Sequence, residues 1–401
     1  MDLPLKNIRV LDIAQVLAGP FGAAMLGDLG ADVIKIEPLR GDESRHLGRG
    51  PGVGGDSAMF IGANRSKRGL ALDLTSAAGL AIFHDLLKDA DIVVDNIRTS
   101  AKQKLKVDYE SLKAVNPAII AINVSAFGNS GPYAGRPGID PLAQALGGIM
   151  DITGHRNGTP IKTGAPIVDG TTAHMVVIAA LSALRQRDAS GEGQLVEVNL
   201  LEGLLNLQPT IVSQALIDDY VPPKVGCGSD LISPYGLFEC ADGKFLQLCS
   251  LNDKFFGKIC QALDCNELLT DPRFLSGQNR LDNNDALETA IAVKMLEKSS
   301  IEHMQRFVAF DVMAAPVQSM KESLADPQIR FSKLVQDAEH GKLGTIKTAT
   351  LPIKFGSAGG TNPPATAAPA LGEHSESILS ELGYTKTRID ELIQLGVVSQ
   401  S

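Results

Sequence analysis

The sequence predicts an α/β protein built on a mainly parallel, doubly wound sheet, and two observations predict it. Short runs rich in β-branched residues alternate with amphipathic helical patterns through the first half of the chain. With 401 residues, 40 glycines, 44% hydrophobic and 21% charged content, the chain can also form a large core in two or three domains. Strands are expected at residues 7–13 (NIRVLDI), 32–36 (DVIKI), 91–94 (DIVV), 118–124 (AIIAINV) and 195–198 (LVEV). Helices belong between them, at 21–29 and at 77–88 behind a Thr75-Ser76 cap signal. In such a sheet, ligands bind at the carboxyl ends of the strands.

The pattern changes in the middle third. Residues 226–243 read as loop, 244–249 (KFLQLC) as a strand, and 253–263 and 285–296 as helices of a smaller α+β domain. Near the end, 351–355 offers a strand and 357–370 (SAGGTNPPATAAPA) a flexible connector, followed by two short helices at 375–382 and 386–395. The expected division is a large domain over 1–205, a linker over 206–225, the small domain over 226–330, and a C-terminal return to the large domain over 331–401.

A net charge of −9 argues against a nucleic-acid partner. Locally, Arg40, Arg45, Arg49, Arg65, Lys67 and Arg68 outnumber Asp42, Glu43 and Asp56, which fits either a site for a phosphorylated ligand or a solvated loop. The N-terminus lacks the charged and apolar regions of a secretory signal, and the apolar stretch 170–184 is too short to cross a bilayer. A cytoplasmic protein without a membrane partner is expected. All five cysteines lie between Cys227 and Cys265 without a Cys-x-x-Cys pair, and the histidines are scattered, so a reduced, metal-free protein is expected.

The glycine-rich run 18–32 does not match G-x-G-x-x-G, and neither a phosphate-binding G-x-x-x-x-G-K-[ST] nor a hydrolase G-x-S-x-G occurs. Asp169 stands out instead. It lies in TGAPIVDGTTAHMVVIAALSALRQR, where a Gly/Pro turn opens a long apolar helix. A helix start would keep this carboxylate ionised and nucleophilic, or the residue could simply serve as the N-cap; the residues alone leave both open.

Several runs, in order, resemble the class III coenzyme A transferases, a family that includes formyl-CoA:oxalate transferase, carnitine CoA-transferase and α-methylacyl-CoA racemase. They are IRVLDIAQVLAGP, LGADVIKIEPLRGD, NRSKRGLALDL, ADIVVDNIR, GAPIVDG and SGEGQLVEVNLLEGLL, with looser similarity at 311–317 and in LGEHSESILSELGY. The resemblance implies a Rossmann-like large domain, a smaller α+β domain and an intertwined homodimer. It implies CoA transfer from an acyl-CoA to a small carboxylic acid such as a dicarboxylate, with Asp169 as the covalent nucleophile and no permanently bound cofactor. By the same resemblance, Gln15, Val16, Ala18, Arg40, Leu72, Thr75, Asn96, Ile97 and Arg98 would contact CoA, with Lys104 and Arg136 as further phosphate ligands. Asp140 matches an acidic position near the substrate.

The chain also departs from the family pattern. Ile139 stands where racemases carry histidine, and Asn252 where an acid is expected, which counts against a two-base racemase. The oxalate-type glycine loop is replaced by VGCGSDLISPYG at 225–236, and Lys104 stands where arginine is commoner. The alternatives to a transferase are an α-methylacyl-CoA racemase or epimerase and a CoA-binding protein without turnover.

Overall fold

The computed structural model describes residues 3–48, 56–356 and 362–400, which form two compact units. The first comprises Met1–Gly147, Gly164–Pro209 and Pro327–Ser401, and the second Gly148–Thr163 and Thr210–Asp326. Both ends of the chain thus build the first unit. Part of the region expected as a linker, 206–225, is helical, at Pro209–Ile217.

In chain order the strands are β1 (Arg9–Asp12), β2 (Asp32–Glu37), β3 (Arg68–Leu72), β4 (Ile92–Asp95), β5 (Ile120–Ser125), β6 (Gln194–Asn199), β7 (Tyr235–Glu239), β8 (Phe245–Cys249), β9 (Met313–Pro316), β10 (Val335–His340), β11 (Gly344–Ala349) and β12 (Val398–Ser399). The first unit carries a seven-stranded sheet in the order β12-β3-β2-β1-β4-β5-β6. β1 to β6 pair in parallel and β12 joins the β3 edge antiparallel. These strands are mostly buried on both faces, which explains their continuous runs of Val, Ile and Leu. Leu11, Ile34, Leu70, Val93 and Ala121 pack on one face with Ile82, Phe83 and Leu86 of the Ala77–Lys88 helix. Ser76 caps that helix through the Gly79 N–H.

The other face receives the Ala18–Asp28 and Ile167–Ser190 helices. Each returns the chain from the carboxyl end of one parallel strand to the start of another, β1 to β2 and β5 to β6, so the two run parallel. They pack closely because Gly22 has no side chain: a Cβ there would stand 2.7 Å from Val176 Cβ. The 24-residue Ile167–Ser190 helix is longer than the 170–184 stretch read from sequence, and by length and composition alone it could cross a membrane. Its small buried residues, Ala173, Ala180 and Ala183, serve instead to pack a core helix against the sheet.

In the second unit β7, β8 and β9 form an antiparallel sheet. Helices Asp253–Ala262, Asn284–Met295 and Ser300–Ala309 enclose a core with Phe238, Leu246, Leu248, Ile259, Leu287 and Phe307.

Three expectations are corrected. Residues 351–355 form no strand: Pro352 cannot donate to a ladder, and the local pairing is the β10–β11 hairpin just before it. Residues 226–243 are not all loop, since Tyr235–Glu239 pairs with β8. Of the supposed flexible connector 357–370, residues 357–361 lie outside the described residues, and much of the rest is buried. There, Thr366 O accepts from Ser66 N and Pro369 O from Arg45 Nη2. Gly69 is needed in β3 because Pro369 lies 3.0 Å from where its Cβ would be.

Replacing Gly22 by alanine is expected to lower the unfolding free energy by about 1–3 kcal/mol through overpacking. Alanine at Gly62, where a Cβ would meet nothing within 4 Å, should be neutral or slightly stabilising. Urea denaturation of both variants beside the parent protein checks the contrast.

Candidate functional site

Strand order reverses between β1 and β4, so a crevice opens beyond their carboxyl ends. Two turns face each other there and are joined by one side chain. Asn96 Oδ1 accepts from Gln15 N at 2.9 Å and its Nδ2 donates to Gln15 O at 2.6 Å. Beneath Asn96, buried Asp95 accepts from Ile97 N at 3.1 Å and from Asn123 Nδ2 at 2.7 Å, and pairs with Lys102 at 3.4 Å. Burial pushes the Asp95 carboxyl up despite these partners.

The residue after Gln15 is under strain. Val16 has φ of 71°, a left-handed conformation that costs a β-branched residue about 1–3 kcal/mol. Side chains hold this turn. Asp12 Oδ1 accepts from Ala14 N at 3.0 Å, Lys35 Nζ donates to Ala14 O, and the Asp42 carboxylate accepts from Val16 N at 3.1 and 3.3 Å. The Ala18–Asp28 helix follows at once, with no side-chain cap on Leu17 and no acidic residue in its first turn.

These clamps belong to a buried ion network. Lys35 pairs with Asp42 at 2.9 Å, Lys67 with Asp12 at 2.7 Å, and Arg45 with Glu37 at 2.7 Å and Asp56 at 2.9 Å. Burial alone would raise the Asp42 carboxyl, but Lys35 and the Ser44 donors hold it down at about 2. Burial lowers Lys67 to about 8, with Asp12 opposing and Lys35 adding to the fall. The one sign of this network along the chain is a lysine set within the apolar DVIKIE run.

Asp169 lies on the first turn of the Ile167–Ser190 helix, and it is not the N-cap. Pro166 takes that position without a side-chain bond, and the helix is capped instead by Asp140. Asp140 Oδ2 accepts from Val168 N at 2.8 Å and Asp169 N at 3.1 Å, while its Oδ1 accepts from Gln144 Nε2 at 2.6 Å. No donor reaches the Asp169 carboxylate among the described residues, and burial together with the charge of Asp140 raises it to about 6. The expected effect of the helix start is therefore reversed. Asp140 takes the donors, and Asp169 becomes more basic than a free aspartate rather than less.

The Ile167–Ser190 helix runs parallel to the Ala18–Asp28 helix, and the Phe21 ring stands edge-on to His174 at 6.4 Å. Asp169 therefore lies at the same edge of the sheet as Gln15, Val16 and Ala18. Arg40, Asn96, Ile97 and Arg98 follow β2 and β4 at that edge, and Arg136 and Asp140 follow β5. Leu72 ends β3 with its side chain in the core, and Thr75 is exposed with its Oγ1 bonded to Asp73 at 2.6 Å. Lys104 is exposed on the Thr99–Leu105 helix. Arg136 lies over the Tyr133 ring at 4.4 Å and near Phe127 at 5.9 Å.

Most of the basic run after β2 is taken up inside the fold. Arg45, Arg65, Lys67 and Arg68 are committed to Glu37, Asp28, Asp12 and Asp32. Arg49 lies outside the described residues. Exposed Arg40 has no ion-pair partner among the described residues, and neither do Arg98 and Arg136. In the second unit, a cleft of about 1080 Å³ holds Arg156 and Lys224 but also Asp151, Asp230, Asp282 and Asp285, a poor balance for an anion. Asn252 there caps a helix through Phe255 N at 3.3 Å. All five cysteines are free thiols, and no metal-binding cluster occurs among the described residues.

CoA-transferase family III matches residues 5–375. Human succinyl-CoA:glutarate CoA-transferase is 31% identical over 99% of this chain and 90% of its own length. Succinyl-CoA–D-citramalate CoA-transferase of Chloroflexus aurantiacus is 32% identical over 98% of this chain and 96% of its own. A crystal structure of a CAIB/BAIF family protein from Brucella suis superposes with a TM-score of 0.87 at 31% identity, covering 95% of this chain and 100% of that one. The chain belongs to CoA-transferase family III and is a class III CoA-transferase.

Proposed function

We propose that the enzyme moves CoA from a donor acyl-CoA to a small dicarboxylic acid through covalent intermediates on Asp169. The observation that carries this reading is a half-buried carboxylate, unencumbered by hydrogen bonds and raised to about 6, at the ligand edge of the sheet. It is mostly ionised at neutral pH, and its raised basicity makes it a stronger nucleophile.

The Asp169 carboxylate attacks the donor thioester carbonyl and expels the CoA thiolate, leaving a mixed anhydride. The thiolate attacks the aspartyl carbonyl, releasing the donor carboxylate and forming an aspartyl-CoA thioester. The acceptor carboxylate then attacks that thioester, and the thiolate leaves again. Finally the thiolate takes the acceptor acyl group from the second anhydride and restores the Asp169 carboxylate. Each exchange trades one activated acyl bond for another of similar energy, so no nucleotide is consumed. Water must be kept out while the anhydrides exist.

CoA would lie along the β1–β4 crevice, with the Gln15–Ala18 and Asn96–Arg98 turns beside it and Arg40, Arg98, Lys104 or Arg136 at its phosphates. Names of relatives support a dicarboxylate acceptor: glutarate for the human and Agrobacterium fabrum enzymes, D-citramalate for that of Chloroflexus aurantiacus, and mesaconate for that of Haloarcula hispanica. Exposed Ile178 and Leu181 on the Asp169 helix, with Leu205 and Leu207 on the Leu200–Leu207 helix that follows β6, support an intertwined homodimer. The cytoplasm suits its free thiols. Asn252 as a helix cap and Ile139 in place of a histidine supply no second base for racemisation.

Succinyl-CoA mixed with glutarate, citramalate, mesaconate or oxalate should yield a new dicarboxyl-CoA thioester, read by mass spectrometry. No exchange with any acid would sink the proposal. Asp169→Asn should lower turnover by about 1,000-fold or more, and hydroxylamine added during turnover of the parent enzyme should label Asp169 alone.

The same carboxylate sets two pH effects. Turnover should rise through about pH 6 as Asp169 ionises and level off above it, and Asp140→Asn should move that limb lower by removing the neighbouring charge. Because the folded pKa lies above the unfolded one, the fold binds the proton more tightly. Stability is therefore lost as pH rises from the unfolded value to about 6, and the loss is complete above it. Asp169→Asn removes this penalty and should raise the unfolding free energy at pH 7 by on the order of 1–3 kcal/mol, measured by denaturant titration.

A further inference from the structure

We propose that Asp42, backed by Lys35, is a positioning residue that holds Val16 left-handed and so sets the β1 turn against the CoA moiety. The inference rests on the reading that residues 15–18 contact CoA. Three observations converge on it.

The first is the strain itself: of the conformations open to valine, the one at φ 71° is among the least favoured, so something outside the residue must impose it. The second is what meets the turn. The N–H groups of Ala14, Gln15 and Val16 go to Asp12, Asn96 and Asp42, and the carbonyls of Ala14 and Gln15 accept from Lys35 and Asn96. These contacts are all side-chain contacts, from β1, from β2 and the turn after it, and from the turn after β4. The third is the cost of the clamp. Asp12, Lys35, Asp42 and Lys67 are buried, and an ion network out of water adds little net stability over an apolar filling while fixing geometry closely. The geometry it fixes is that of the turn.

Asp42 is the member with direct hold on Val16, and the same carboxylate takes Ser44 N at 2.8 Å and Ser44 Oγ at 2.7 Å, which ties the turn after β2 to the turn after β1. Arg40 lies in that tied segment. Release of Asp42 would therefore let Val16 relax toward an ordinary extended conformation, carrying the start of the Ala18–Asp28 helix with it. Gly19 leaves little slack there, since a Cβ on it would lie 2.6 Å from the Ala14 methyl.

Glycine separates positioning from bulk stability because it adopts the left-handed conformation without strain. The test compares the parent enzyme with Asp42→Asn, Val16→Gly and the double variant, measuring kcat and the KM values for succinyl-CoA and for the acceptor acid. Asp42→Asn alone should raise the KM for succinyl-CoA about tenfold and leave the acceptor KM unchanged. In the Val16→Gly background the same substitution should raise it less than about threefold, since there is no strained residue left to hold. A tenfold rise in both backgrounds overturns the clamp while leaving CoA contact at this turn intact. An unchanged succinyl-CoA KM in all variants removes both the clamp and the contact. If Asp42→Asn does not fold, as judged by thermal melting, Asn96→Ala loosens the turn from its other side, with the same coupling to Val16→Gly expected and the same results overturning it.

Discussion

The state of the Asp169 carboxylate depends on which side chain takes the first N–H groups of the Ile167–Ser190 helix. Asp140 takes those of Val168 and Asp169, and by doing so it deprives Asp169 of the donors that a helix start usually offers an acidic residue. Two consequences follow from that one exchange. The backbone at Asp169 is fixed at both its own N–H and its neighbour's, and its side chain is left, among the described residues, without a donor beside a second negative charge. A carboxylate accepting several hydrogen bonds is stabilised as an anion and is a weak nucleophile. Asp169 is kept from that state by its neighbour.

The sheet brings the remaining parts together. Parallel strands place every strand-to-helix turn at one edge, and reversal of strand order between β1 and β4 leaves room there for a ligand. The two helices that start at that edge on the same face are packed through Gly22, so the start of one is referenced to the start of the other. Asn96 then joins the turns on either side of the reversal. The site is therefore built by long-range contacts between the ends of regular elements. It does not rely on any one contiguous motif, which is why no short pattern announces it.

Legibility in the sequence followed the same division. β1, β2, β4 and β5 showed themselves because they are buried on both faces and carry runs rich in β-branched residues, and β6, at the sheet edge, through Val196 and Val198. β3 was hidden by Gly69, whose purpose, close approach of Pro369, is set by a segment 300 residues further on. The β10–β11 hairpin, VQDAEH and GTIKTA, is mostly exposed and carries no apolar alternation, and β12 is two residues long. Asp169 was legible from its place at a helix start, but the direction of its shift was not, because that depends on an aspartate 29 residues away. The basic residues after β2 misled for a related reason. Charges counted along the chain do not show that Arg45, Arg65 and Lys67 have buried acidic partners on other elements.

Burial of so many charges near the ligand edge has a physical logic of its own. A turn at the end of a strand cannot satisfy its inner peptide groups by joining a helix or a sheet, and water would satisfy them without fixing their positions. Carboxylates and ammonium groups held by one another can do both, because their hydrogen bonds to backbone groups are stronger than neutral ones and their mutual attraction resists displacement. Asp42 shows the economy of this arrangement. It neutralises Lys35, accepts from Val16 and from Ser44, and stays ionised with a carboxyl held at about 2, so its hold on the turn is constant over the whole range in which Asp169 titrates. The turn and Asp169 thus respond to protons independently: one carboxylate is stabilised as an anion and holds a backbone in place, and the other is deprived of such stabilisation and stays basic.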